Sequence, residues 1–202
     1  VGSEMCIRDR SAFGDELARM DMYVEQLVTL LLRENPKLNV LILADHGMSK
    51  VHKNVNILAG LDQLRSRMYK DYVLFADSTM IRFWFFKKEA KREVCKYLLQ
   101  SKHGHILTRK EKELLKTPLD PKYGQIIYVV DEGYVIHPCF FHLKSTVKGM
   151  HGYAYSKTTE ALPILISNEM MAKNFQSSKS VTYNDILPSL LYSLGFCKRG
   201  LA

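Results

Sequence analysis

The sequence holds 202 residues, 47% of them hydrophobic, with 29 lysines and arginines against 21 acids and a net charge of +8. That length and apolarity furnish one sizeable core and exclude a disordered chain, while the absence of any run of about 18 apolar residues excludes a membrane-crossing helix. The basic balance suits acidic partners such as phosphate esters, nucleic acid or anionic surfaces, without choosing among them.

Residues 1–10 (VGSEMCIRDR) carry neither helical nor strand periodicity and resemble a translated sequencing-adaptor scar. Residues 1–11 are therefore read as non-native, so that natural sequence enters in mid-domain. Residues 15–32 place Leu17, Met20, Val24, Leu27 and Leu31 close to helical spacing, and Asn35-Pro36 stops that helix. Residues 39–44 (NVLILA) form a short, almost continuously apolar run, as in a parallel strand buried on both faces. A helix followed by a buried strand is half of a βαβ unit and points to an α/β fold.

Beyond residue 69 the texture changes. Residues 72–76 and 79–86 predict two antiparallel strands around Asp77-Ser78, and 88–100 an amphipathic helix. A short strand is expected at 105–107 and a short helix at 109–116. Strands at 125–130 and 134–141 flank Asp131-Glu132-Gly133, which predicts a hairpin turn. Residues 69–142 thus read as a smaller α+β lobe inserted in a core made of 12–68 and 143–202. Residues 143–160 are a polar loop, 162–167 (LPILIS) a second buried strand, and 181–194 a closing helix. The basic runs at 87–92 and 102–112 are interleaved with glutamate and read as solvated faces. Cys6, Cys95, Cys139 and Cys197 are too scattered for a disulfide framework or a cysteine zinc site.

Chemistry concentrates in two places. In residues 41–48 (LILADHGM) a buried strand runs straight into Asp45 and His46, an oxygen and a nitrogen donor that both suit zinc. Ligands in open α/β sheets bind beyond the carboxyl ends of strands, where such a pair sits. The second place is 148–153 (KGMHGY), where His151 stands in the polar loop before the other buried strand. His46 and His151 are 105 positions apart (151 less 46), and the expected fold brings both to one edge of the sheet. A capping Asp with a structural His, and a surface His, remain the plain alternatives for the two motifs.

Together these residues resemble the type I phosphodiesterase/nucleotide pyrophosphatase family of the alkaline phosphatase superfamily. ADHGM is similar to the family's D-H-G-M motif, MHGY to its later H-G-Y, and 123–141 to the strand–turn–strand before that histidine. The resemblance runs from about Phe13 to Phe196. It implies an alkaline phosphatase-like, mostly parallel sheet flanked by helices, incomplete here, with the smaller inserted lobe. It implies two Zn2+ ions, or other divalent metals, with Asp45 and His46 on one and His151 on the other. Tyr153 is the implied substrate contact, or else only packs. The implied reaction is cleavage of phosphodiester or pyrophosphate bonds in nucleotides or related small molecules, through a covalent phospho-enzyme on an upstream threonine. The family's D-x-x-x-H pair would fall on Ile7 and Ser11, neither a good zinc ligand, so this part of the protein is expected to be inactive alone. Ala154 stands where relatives often carry Asp. Extracellular, periplasmic or membrane-anchored placement is what the resemblance suggests.

Two other readings stay open. D-H-G also fits a phosphomonoesterase, a sulfatase or a phosphoglycerate mutase of the same superfamily. A non-catalytic basic module that recruits nucleic acid is the reading from another class. The sequence offers no aromatic–basic platform for it and no specific nucleic-acid site is evident.

Overall fold

A computed structural model of the chain describes residues 10–38, 40–42, 45–144, 147–154, 164–166, 187–188, 190–191 and 195–196. The chain divides into two compact units, one of Val1–Ala12 with His46–Glu160, the other of Phe13–Asp45 with Ala161–Ala202.

The first unit is built on hairpin logic. β-Branched and aromatic residues make β4 (Tyr72–Ala76) and β5 (Met80–Phe85), antiparallel about Asp77-Ser78 as expected, with Tyr72 opposite Phe85 and Ala76 opposite Ile81. β5 also pairs antiparallel with β7 (Ile126–Val130), which in turn pairs with β6 (Gly104–Ile106), giving the order β4-β5-β7-β6. Alternation sorts the side chains between two faces. Tyr72, Ile81, Phe83 and Tyr128 join the main core, while Ile127 and Val129 form a second cluster with Leu107 on the opposite face. Helix α3 (Lys88–Leu98) closes the main core with Ala90, Val94 and Leu98, spaced four apart along one buried stripe. Helix α4 (Arg109–Leu114) starts with a capping box, in which Thr108 and Glu111 satisfy each other's backbone N–H groups. The unit also holds the short strands β2 (Ser49–Lys50), β3 (Lys53–Val55) and β8 (Tyr134–Ile136) and the short helix α2 (Ile57–Leu61). β9 (Gly149–Met150) lies inside the stretch expected to be loop.

The hairpin expected about Asp131-Glu132-Gly133 does not form. β7 already has β5 on one edge and β6 on the other, so no edge is left for β8. β8 instead runs parallel to β3, with Asn54 opposite Val135. A turn signal specifies a change of direction, and the availability of an edge decides the partner.

The second unit contains most of helix α1 (Arg10–Glu34) together with β1 (Val40–Ile42) and β10 (Ile164–Ile166). The helix takes in Arg10 and Ser11, the last residues of the stretch read as non-native. Its apolar residues Leu17, Met20, Leu27 and Leu30 are exposed. β1 pairs with β10 antiparallel, Leu41 opposite Leu165. Strand direction is thus where expectation and structure part: among the described residues, β3 with β8 is the parallel strand pair and the other ladders are antiparallel. An unbroken apolar run reports burial and carries no information on direction. Asn39, Leu43, Ala44, the ends of the expected strand at 162–167 (its middle is β10) and most of the expected helix at 181–194 lie outside the described residues, although 187–188 and 190–191 are helical. Among described residues no helix is long and apolar enough to cross a membrane. Cys95 and Cys139 are free thiols, half-buried and buried.

Candidate metal centre

The two histidine motifs meet through a ladder of two residues on each side. β2 pairs antiparallel with β9, Ser49 opposite Met150 and Lys50 opposite Gly149, and the Val51 N–H donates to the Lys148 carbonyl at 2.8 Å. In an antiparallel pair, the residues before one strand lie beside the residues after the other. His46-Gly47-Met48 and His151-Gly152-Tyr153 are therefore forced to the same end. Gly149 makes the approach possible: a Cβ there would stand 3.0 Å from the Met48 Cγ.

The imidazoles of His46 and His151 stack, ring centroids 3.6 Å apart and planes inclined by 15°. The His46 Nδ1 lies 2.9 Å from the Gly47 carbonyl oxygen, a contact that assigns the proton to Nδ1 and leaves Nε2 as the nitrogen with the lone pair. Metal-ligating histidines are held in this way, one nitrogen on a carbonyl and the other on the ion. His151 is set by the turn behind it. Gly152 has φ of 82°, in the left-handed region, and its carbonyl accepts from Thr79 Oγ1 at 2.9 Å. Thr79 is buried at the start of β5, so the second motif is fastened to the four-stranded sheet.

A second fastening joins the first motif to the 131–133 turn. The Ser49 hydroxyl, buried, donates to Glu132 Oε1 at 2.7 Å across 83 positions of sequence. Neither Ser49, Thr79 nor Glu132 stands out in the sequence; their partners are 73 and 83 positions away, and only the folded chain reveals them. Asp45, the residue before His46, is exposed and belongs to the second unit. Tyr153 turns inward: it is 8% exposed, sits in the main core, and donates its hydroxyl to the Tyr134 carbonyl at 3.0 Å. Burial pushes its phenol up to about 12, so it stays protonated throughout the neutral range. His52, on the strand side of the loop, is exposed, its N–H given to the Gly133 carbonyl at 2.7 Å.

Among the described residues no group of three or more His, Cys, Asp or Glu gathers around one point. The stack sets two imidazoles from separate motifs side by side, and the donor chemistry fits a metal: His46 and His151 each offer a ring nitrogen of the kind that would hold zinc.

The family model described as type I phosphodiesterase / nucleotide pyrophosphatase matches residues 4–154. No curated protein matches the chain. Solved structures do. Human ectonucleotide pyrophosphatase/phosphodiesterase 5 shares 21% identity at a TM-score of 0.75, over 96% of this chain and 51% of that one. The murine form shares 18% at 0.65, over 82% of this chain and 44% of its own. An inactive threonine-to-alanine variant of the murine protein, in complex with AMP, shares 20% at 0.62, over 80% and 42%. At such identities the likeness establishes the fold, which is the α/β, alkaline phosphatase-like one expected from the sequence. The chain spans about half the length of these structures.

Proposed function

The chain belongs to the type I phosphodiesterase/nucleotide pyrophosphatase family, and on that premise we propose that it contributes metal-binding residues to a zinc-dependent hydrolase of phosphodiester or pyrophosphate bonds. The observation that supports the reading is the His46–His151 stack, which brings two nitrogen donors from motifs 105 positions apart (151 less 46) side by side. His46 would serve one ion with the adjacent Asp45, and His151 the other. When bound, such ions polarise a phosphoryl group and lower the pKa of an attacking hydroxyl. The chain's own contribution is orientation. Gly47 fixes the His46 tautomer, and Thr79 holds the Gly152 turn that presents His151.

Substrates of the nucleotide class are proposed from the family description and from the AMP bound by the murine relative. A covalent phospho-enzyme on a threonine of the whole protein is part of the proposal, and the inactivity of the threonine-to-alanine form of that relative supports a threonine in the reaction. Alone, the chain would bind metal without turning over substrate.

The test uses a longer protein that carries this sequence, with nucleoside 5′-monophosphate nitrophenyl esters as substrate and metal content measured alongside. His46→Ala and His151→Ala should each cost more than the roughly 10–100-fold lost on removing an outer partner of a metal ligand. Each should also lower bound zinc. Unchanged turnover and zinc content in both variants would overturn the proposal.

A further inference from the structure

Away from the two histidines, the first unit carries two neighbouring depressions on its surface. One, of about 690 Å³, runs along the outer side of α3 between Lys88, Lys91, Arg92 and Lys96. The other, of about 450 Å³, lies between β3, the start of α2 and the turn after α3, and has Lys53 and Lys102 on its rim. Gln100 lines both, so the two adjoin. Neither is lined by a carboxylate, although the chain has 21 of them.

Charge there is uncompensated by design of the fold. None of the six cations forms an ion pair among the described residues; the lysine that does so at this helix is Lys87, with Asp71. Glu93, on the same helix, is turned to the other side, where its carboxylate accepts from the Arg65 and Ser66 N–H groups. Like charges three and four residues apart destabilise a helix, so Lys88, Lys91, Arg92 and Lys96 weaken α3 in isolation. The crowding extends to α4, where burial and then the nearby Lys91 push the Lys112 ammonium down.

The second depression combines an apolar floor with polar groups held by hydrogen bonds. The Tyr97 hydroxyl donates to the Ile57 carbonyl at 3.0 Å, and its ring fills the space a Cβ on Gly60 would take. Ser101 Oγ accepts from the Tyr128 hydroxyl at 2.7 Å. Asn54, Asn56 and Gln100 add amides to the lining.

We propose that these two adjoining basic depressions together bind a linear anionic polysaccharide, a sulfated glycan chain. Lysine ammonium groups supply point charges for sulfates, and the amides and Ser101 suit sugar hydroxyls. Single-stranded nucleic acid fits less well, because such sites rely on exposed aromatic rings for stacking, and both rings in the lining are engaged, Tyr97 through its hydroxyl on the Ile57 carbonyl and His103 stacked on Tyr134. A bilayer fits less well too, since depressions offer a flat membrane little contact and Leu99 is the one exposed large apolar residue along them.

The experiment titrates the full chain into a labelled, size-defined heparin oligosaccharide, followed by anisotropy. A single-stranded oligonucleotide and vesicles rich in phosphatidylserine form the comparison arms. Saturable heparin binding should weaken by about tenfold or more as salt rises from about 0.1 to about 0.5 M. Lys91→Glu with Lys96→Glu, and Lys53→Glu with Lys102→Glu, should each weaken it by about tenfold or more. The neutral pair Lys91→Gln with Lys96→Gln should fall between, with an unchanged melt. The same reversal at Lys122 and Lys144, outside the depressions, should change it little. An equal loss from that control pair, tighter binding of the oligonucleotide or the vesicles, or no saturable binding would each overturn the proposal.

Discussion

Replacing Gly152 by alanine tests how the second histidine is held. A residue with a Cβ at φ of 82° adopts a left-handed conformation that costs about 1–2 kcal/mol. The new Cβ would stand 3.3 Å from Thr79 Oγ1, the atom that donates to the Gly152 carbonyl. Moving that hydroxyl puts a further 0.5–1.5 kcal/mol or so at risk. The sum, roughly 1.5–3.5 kcal/mol, corresponds to a melting point lowered by about 3–14 °C for a chain of this size. Gly14→Ala is the counterpart. Gly14 lies in α1 with nothing within 4 Å of its added Cβ, so the same chemical change should stabilise by about 0.5–1 kcal/mol through helix propensity. Thermal melts of both variants, with imidazole proton spectra to track the ring-current shifts of the stack, make the comparison. If Gly152→Ala melts like the wild type and keeps those shifts, the turn does not hold His151 and the reasoning fails.

Acid should loosen the segment before β4. Asp71 is held below the usual carboxylate range, first by the Lys87 ammonium and then by the Arg67 N–H; Glu93 is lowered by the Ser66 hydroxyl and the N–H groups of Arg65 and Ser66. Groups with depressed pKa stabilise above the ordinary carboxylate range and lose that contribution as pH falls through their lowered values, so urea stability should drop below about pH 4. Asp71→Asn should flatten that drop. Thr108→Ala, which breaks the capping box of α4, should cost about 1 kcal/mol in the same assay, with Thr108→Ser restoring most of it.

Local chemistry was legible wherever neighbours in sequence decide it. The β4–β5 hairpin, the stripe of α3 and the start of α4 all follow from periodicity, turn residues and caps. Pairing decided at a distance was not. Nothing between residues 126 and 136 says that both edges of β7 are taken, and that fact alone sends β8 to β3. The site divides the same way. Asp45, His46 and His151 could be picked out as candidates because donor residues flank apolar strands; the fold brings His46 and His151 together. Ser49, Thr79 and Glu132 could not, since a serine or threonine at a strand start looks the same whether or not a distant carboxylate or carbonyl awaits it. Tyr153, read as a substrate contact or as packing, has its hydroxyl on the Tyr134 carbonyl and its ring in the main core.

The site and the sheet should fail together. Met150 and Tyr153, which bracket His151 and Gly152, belong to the same core cluster as Phe83, Tyr72 and Val94. Phe83 is fully buried at the centre of β5 and packs beside Phe85, ring centroids 5.9 Å apart. Phe83→Ala should therefore cost about 3–5 kcal/mol, a large share of the roughly 5–15 kcal/mol that ordinarily separates a folded domain from its unfolded chain. Because one cluster serves both, the cavity should not stay local. In urea, the ring-current signature of the His46–His151 stack should vanish at the same lowered midpoint as far-ultraviolet circular dichroism. A stack that survives the loss of the sheet, or dissolves well before it, would mean that the two-residue β2–β9 ladder holds the histidines by itself.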